Sequence, residues 1–220
     1  MSARHPAAVL WDLDGTLIDS EPYWMIEEQL LVAEFGGRWS HQDALALVGR
    51  ALLDSAAYIV AHSPVSLAPQ SVVERLVAGV AGRVRDNAPW RPGALELLGE
   101  LRASGVPTAL VTMSHRPITD AVTHALAAAL PGGGFDVIVS GEDVRQGKPH
   151  PEPYLTAAAR LGLAADTCLA VEDSETGARS ATAAGARTVV VPCVKPVPPL
   201  PGTVQLESLA GVRWADLRRL

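Results

Sequence analysis

Short apolar runs, hydrophobic on successive positions, recur at 7–11 (AAVLW), 106–111 (VPTALV), 135–140 (FDVIVS), 167–171 (TCLAV) and 187–191 (RTVVV). Runs of this length, apolar on both faces, predict buried parallel strands. Helical spacing fills the neighbouring intervals. In GALELLGELRAS (93–104), Leu95, Leu98 and Leu101 share a stripe that stops at Gly105. PITDAVTHALAAAL (117–130) starts on a proline suited to a first helical turn. PEPYLTAAARLG (151–162) and SETGARSATAAG (174–185) each close on a glycine. Alternation of this kind predicts an α/β fold: a Rossmann-like parallel sheet with helices on both faces.

The interval 18–89 breaks the alternation. PYWMIEEQLLVAEFG (22–36), HQDALALVGR, ALLDSAAYIVAH and SVVERLVAGVAGRVRDN all read as helix, with no strand among them. About 70 helical residues are far more than a βα connection needs. The expected organisation is therefore a core domain of residues 1–17 and 90–220, with an inserted α-helical cap subdomain at 18–89. The chain leaves for the insert at DSE (19–21), where Asp19 or Ser20 is the expected helix N-cap and Pro22 falls near the first helical position. The stretch VPCVKPVPPLPGTV (191–204) is proline-rich and is expected to run extended over the surface.

Composition narrows the class. At 220 residues, 48% hydrophobic and 19% charged, the chain reads as globular. A formal net charge of −6 argues against bulk affinity for nucleic acid or anionic membranes. Two cysteines, Cys168 and Cys193, are too few for a disulfide framework. No window is long and apolar enough for a membrane span, and no leader-like stretch precedes Asp12. A cytoplasmic protein acting as a monomer on a small molecule is expected, with neither nucleic acid nor membrane as partner.

In an open parallel sheet, ligands bind beyond the carboxyl ends of the strands. Those ends carry Asp12 and Asp14; Thr112, Met113 and Ser114; and Glu172 and Asp173, with Lys148 just ahead of the helix at 151. Singly, each has an ordinary explanation as a turn former, an N-cap or a solvated loop charge. Together, four carboxylates at one edge repel one another unless a cation sits among them, and hard oxygen ligands suit Mg²⁺. Asp12 and Asp14, two apart on extended chain, point the same way.

DLDGT (12–16), the hydroxyl of LVTMS (Thr112), the lysine of GKPHPEPY (Lys148) and the acidic pair of VEDSETGARSATAAG (Glu172-Asp173) occur in the order seen in the haloacid dehalogenase superfamily. The chain resembles the members of that superfamily with a small helical cap, the group of β-phosphoglucomutase and 2-deoxyglucose-6-phosphatase-like sugar phosphatases, over nearly its whole length. The resemblance implies a phosphomonoester hydrolase with Asp12 as nucleophile, forming an aspartyl-phosphate, and Asp14 as general acid and then base. It implies Mg²⁺ on Asp12, the Asp14 backbone carbonyl and Asp173, with Glu172 assisting. Thr112 would bind the phosphoryl oxygens together with Met113 and Ser114, and Lys148 would neutralise nucleophile and phosphate.

Tyr23, Trp24 and Arg50 are the candidate substrate contacts from the cap, against the ordinary alternatives of core packing for the two aromatics and a solvated charge for Arg50. Where the mutases of the group carry a histidine on the first cap helix, this chain has Trp24, which cannot serve in proton gating. DSEPYW (19–24) is also similar to the sugar phosphatases' DSEPLW. A phosphatase on a small phosphorylated metabolite, with a sugar phosphate first, is therefore favoured over a β-phosphoglucomutase-type mutase. A non-enzymatic receiver-like phospho-acceptor domain fits less well, because it would carry no cap and its acceptor would not follow the first strand.

Overall fold

In a computed structural model, which describes residues 5–130 and 132–220, the five anticipated strands form and a sixth joins them. They are β1 (Val9–Trp11), β2 (Thr108–Val111), β3 (Val137–Val139), β4 (Leu169–Glu172), β5 (Arg187–Val190) and β6 (Thr203–Gln205). All pair in parallel, in the order β3-β2-β1-β4-β5-β6. β1 is central, with Leu10 paired to Ala109 on one side and Ala170 on the other. The chain therefore reverses direction of winding at β1, which places a crevice beyond its carboxyl end.

The strands are buried on both faces, and alternation divides their side chains between two cores. Val9 and Trp11, Leu110, Leu169 and Val171 join a large cluster that runs on into the 18–89 segment through Leu31, Val32 and Val72. Leu10, Ala109, Val111, Val139 and Ala170 face a smaller, alanine-rich cluster with Tyr154, Ala157 and Ala181.

Residues 18–89 hold α1 (Glu21–Glu34), α2 (His41–Leu45), α3 (Leu52–His62) and α4 (Pro69–Asp86), with no strand. The outgoing and returning chains run side by side: Asp19 N–H donates to Pro89 O at 2.9 Å and Arg91 N–H to Leu17 O at 2.9 Å. The remaining helices are α5 (Ala94–Ala103), α6 (Arg116–Ala129), α7 (Glu152–Arg160), α8 (Glu175–Ala183) and α9 (Trp214–Leu217). α4 packs along α6.

Two expectations need correction. The proline-rich stretch is not wholly superficial: Val197 is buried with Ala178 and Val190, and the stretch delivers the chain to β6. A three-residue edge strand after five prolines offers no periodicity to read. Ser20 occupies the N-cap position of α1, but its side chain caps no helical N–H.

Candidate active site

Asp12 leaves the central strand at the crevice. Behind it, Lys148 Nζ donates to Asp12 Oδ1 and to Glu172 Oε1, each at 2.6 Å, and to the Val111 carbonyl at 2.9 Å. The ammonium group thus ties together the ends of β1, β2 and β4. All three of its donors are used, and its side chain is only 7% exposed. Burial alone would favour the neutral amine, but the Asp12 and Glu172 carboxylates outweigh it and hold Lys148 above its ordinary value.

Glu172 is fully buried and is committed to the protein on both oxygens. Oε1 accepts from Lys148 and, at 2.6 Å, from the Tyr154 hydroxyl; Oε2 accepts from Ser174 Oγ at 3.2 Å. Burial and then Asp12 raise its pKa against Lys148. Gly177 makes room for it, since a Cβ there would lie 2.0 Å from the carboxylate.

Asp12, Glu172 and Asp173 each bring a carboxylate oxygen within 4.8 Å of the others. Asp173 is pushed up to about 8, first by burial and then by Asp12 and Glu172. Such a cluster is short of positive charge even with Lys148 beside it. Gly15 permits this approach: its φ is +85°, and a Cβ would meet Asp173 Oδ2 at 2.1 Å.

Asp14 is separate from this trio. Its two oxygens accept from the hydroxyls of Ser20 and Ser114. Burial raises its pKa, and the Ser114 and Ser20 hydrogen bonds pull against that rise. A carboxyl that burial biases toward its protonated form can give a proton, and donors that stabilise its anion let it take one back. Thr112 is buried, and its Oγ1 accepts from Ser114 N–H at 2.9 Å, which leaves the hydroxyl proton to donate forward.

These groups line one cavity of about 590 Å³ between the sheet edge and α1–α4. Asp12, Asp14, Thr112, Met113, Ser114, Lys148 and Asp173 line its floor, and Trp24 and Arg50 its upper wall. Glu172 stands behind the floor. The Arg50 guanidinium lies 4.8 Å above the Tyr58 ring. Tyr23 does not line the cavity; its hydroxyl donates to Asn87 O at 2.6 Å, tying the start of α1 to the end of α4.

Three participants escaped sequence reasoning. Tyr154 follows Lys148 by six residues on α7, and only an aromatic hydroxyl near a motif lysine hinted at it. Ser20, an expected helix cap, donates its hydroxyl to Asp14 instead. Lys195, from the proline-rich stretch, lines the cavity and donates to Val48 O at 3.1 Å, joining that stretch to the loop before α3.

Residues 6–185 match the sequence profile of the haloacid dehalogenase-like hydrolases. The chain is 32% identical over 191 residues to hexitol phosphatase B of Escherichia coli strain K12, covering 86% of this chain and 85% of that protein. It is 32% identical over 202 residues to protein CbbY of Rhodobacter capsulatus, covering 84% and 85%. Among solved structures, CbbY from Rhodobacter sphaeroides in complex with phosphate superposes with a TM-score of 0.82 at 26% identity, over 96% of this chain and 99% of that one. The chain belongs to the haloacid dehalogenase-like hydrolases and is an enzyme of their phosphatase type.

Proposed function

We propose that this protein is a Mg²⁺-dependent phosphomonoester hydrolase that acts through an aspartyl-phosphate on a small phosphorylated metabolite, first among them a sugar or sugar-alcohol phosphate. The observation that carries the reading is the division of labour among the carboxylates. Asp12 is held by Lys148 at the end of the central strand, whereas Asp14 is held apart by two hydroxyls. The similarity to hexitol phosphatase B supports the substrate class.

In the first step an Asp12 carboxylate oxygen attacks phosphorus, the bond to the leaving oxygen breaks, and Asp14 gives that oxygen its proton. In the second, Asp14 takes a proton from water as the water oxygen attacks phosphorus and Asp12 departs as carboxylate. Lys148 offsets the charge on Asp12 and on the phosphoryl oxygens, and Thr112 donates to one of them; Met113 and Ser114 complete that wall.

The donor set fits Mg²⁺: three hard carboxylates crowd together with a single ammonium to balance them. Asp12, Asp173 and the Asp14 backbone carbonyl would hold the ion, and Glu172, already committed to Lys148 and Tyr154, would stand behind them. When bound, the ion would neutralise phosphoryl charge and fix the phosphate against Asp12. Residues 18–89 serve as the cap that roofs the cavity, with Trp24 and Arg50 on its inner side. Residues 1–17 and 90–220 supply the core. The reaction needs neither nucleic acid, membrane nor a second copy, and no helix among the described residues is long and apolar enough to cross a membrane.

The test is phosphate release from p-nitrophenyl phosphate and from sugar phosphates with Mg²⁺ present. Asp12→Asn and excess chelator should each abolish it; full activity in either case overturns the mechanism. Conversion of β-glucose 1-phosphate to glucose 6-phosphate faster than phosphate release, with a catalytic bisphosphate supplied, would assign a mutase instead.

A further inference from the structure

Helix α1 carries two heptad-spaced pairs of glutamates that meet different fates. Glu27 and Glu34 face α4, where each has its own cation, Arg83 and Arg75. Glu21 and Glu28, about 100° around the helix, face the cavity with Trp24 between them. Glu28 is only 6% exposed, yet no cation among the described residues touches it. Its Oε2 accepts from Trp39 Nε1 at 3.2 Å, and Oε1 has no partner among the described residues. Ser55 on α3 lines the same wall, is equally buried, and its hydroxyl also has no hydrogen-bond partner among the described residues. Leu47 and Leu76 complete this part of the wall. Glu28 is thus a deeply placed carboxylate with one oxygen held by Trp39 and the other left for whatever fills the cavity.

We propose that Glu28 is a specificity-determining residue whose free oxygen accepts hydrogen bonds from hydroxyl groups of the substrate's leaving group, so that the enzyme selects a neutral, polyhydroxylated alcohol on the far side of the phosphate. The inference rests on the phosphatase reading and deepens it. At Glu28 itself the geometry opposes an anionic group, since a second phosphate or a carboxylate there would meet the Glu28 carboxylate on a wall shared with Leu47 and Leu76, with no cation acting on it. Burial also drives Glu28 toward neutrality, which suits a hydroxyl partner better than a permanent cation. Lys195, which donates to the Val48 carbonyl, and Arg50, which lies over Tyr58, also line the cavity, but neither is among the charged groups that act on Glu28.

The experiment measures kcat and KM of the full chain with Mg²⁺ on sorbitol 6-phosphate, glucose 6-phosphate, 2-deoxyglucose 6-phosphate, phosphoglycolate, phosphoethanolamine and p-nitrophenyl phosphate. The wild type should prefer one of the three polyhydroxy phosphates over phosphoglycolate and phosphoethanolamine. For that substrate, the ratio of its kcat/KM to that of p-nitrophenyl phosphate should fall at least about tenfold in Glu28→Leu, mainly through KM. Glu28→Gln keeps an acceptor for Trp39 and should fall in between; it carries the test if Glu28→Leu does not fold. Parallel loss on both substrates, an unchanged ratio, or preference for the amine or the carboxylate overturns the inference and leaves the phosphatase reading standing. No phosphate release by the wild type from any of the six overturns both.

Discussion

Glu28 also makes a stability prediction that needs no substrate. Its pKa is raised from 4.5 to about 7, first by burial, with the Trp39 hydrogen bond pulling the other way and Glu21 adding to the rise. A group whose folded-state pKa lies above its unfolded one binds more protons when folded, so its ionisation opposes folding as pH rises. The contribution is most favourable below about pH 4.5 and is lost progressively up to and beyond about pH 7. The gap between these values, at about 1.4 kcal/mol per tenfold in acidity constant, sets the charging cost at about 3 kcal/mol. That is an upper figure, because Oε1 opens onto the cavity. Glu28→Gln keeps the shape and an acceptor for Trp39 but cannot ionise. Relative to the wild type it should gain up to about 3 kcal/mol between pH 5 and pH 8, or roughly 6–12 °C in Tm for a chain of this size. Urea unfolding of both proteins across that range measures the difference, in which the other titrating groups cancel. A difference independent of pH refutes the reasoning, and a variant that becomes relatively less stable toward pH 8 reverses its sign.

Two further outcomes follow from the site. Lys148→Met removes the cation shared by Asp12 and Glu172. Without divalent ions it should cost about 3–5 kcal/mol near pH 8 and less near pH 5, because burial already biases Glu172 toward its protonated form; urea unfolding at the two pH values checks this, and kcat should fall by about 10²–10³ or more. Ser114→Ala removes a hydroxyl that favours the Asp14 anion, so Asp14 should hold its proton to higher pH and the alkaline limb of the kcat profile should move upward, whereas an unmoved or lowered limb contradicts the contact.

The fold was legible because buried parallel strands announce themselves: β1, β2, β4 and β5 lie on short runs dominated by apolar residues and need no partner to be recognised. β6 was not, because Thr203–Gln205 owes its conformation to pairing with β5 rather than to any pattern of its own. The acidic groups and Lys148 were legible because topology alone brings strand ends together. What could not be read was which side chain each of them would meet. Ser20 has the right residue type for a cap, and only the tertiary turn at 13–18 aims its hydroxyl at Asp14 instead. Tyr23 and Trp24 are adjacent and look alike in sequence, yet 100° of helix sends one to Asn87 and the other into the cavity. Glu27 and Glu28 part in the same way, which is why the unpaired glutamate emerges only once α4 is in place. Lys195 reaches the cavity from a segment with no regular structure to predict its course.

The central claim is that Asp12 carries the phosphoryl group between two half-reactions. Rapid acid quench during turnover of an acyl or sugar phosphate, followed by peptide mass analysis, tests it directly. The account predicts a phosphoryl adduct on Asp12 that forms and decays at rates compatible with turnover and is absent in Asp12→Asn. Turnover with no adduct on Asp12 at any quench time, or an adduct on another residue, would contradict it.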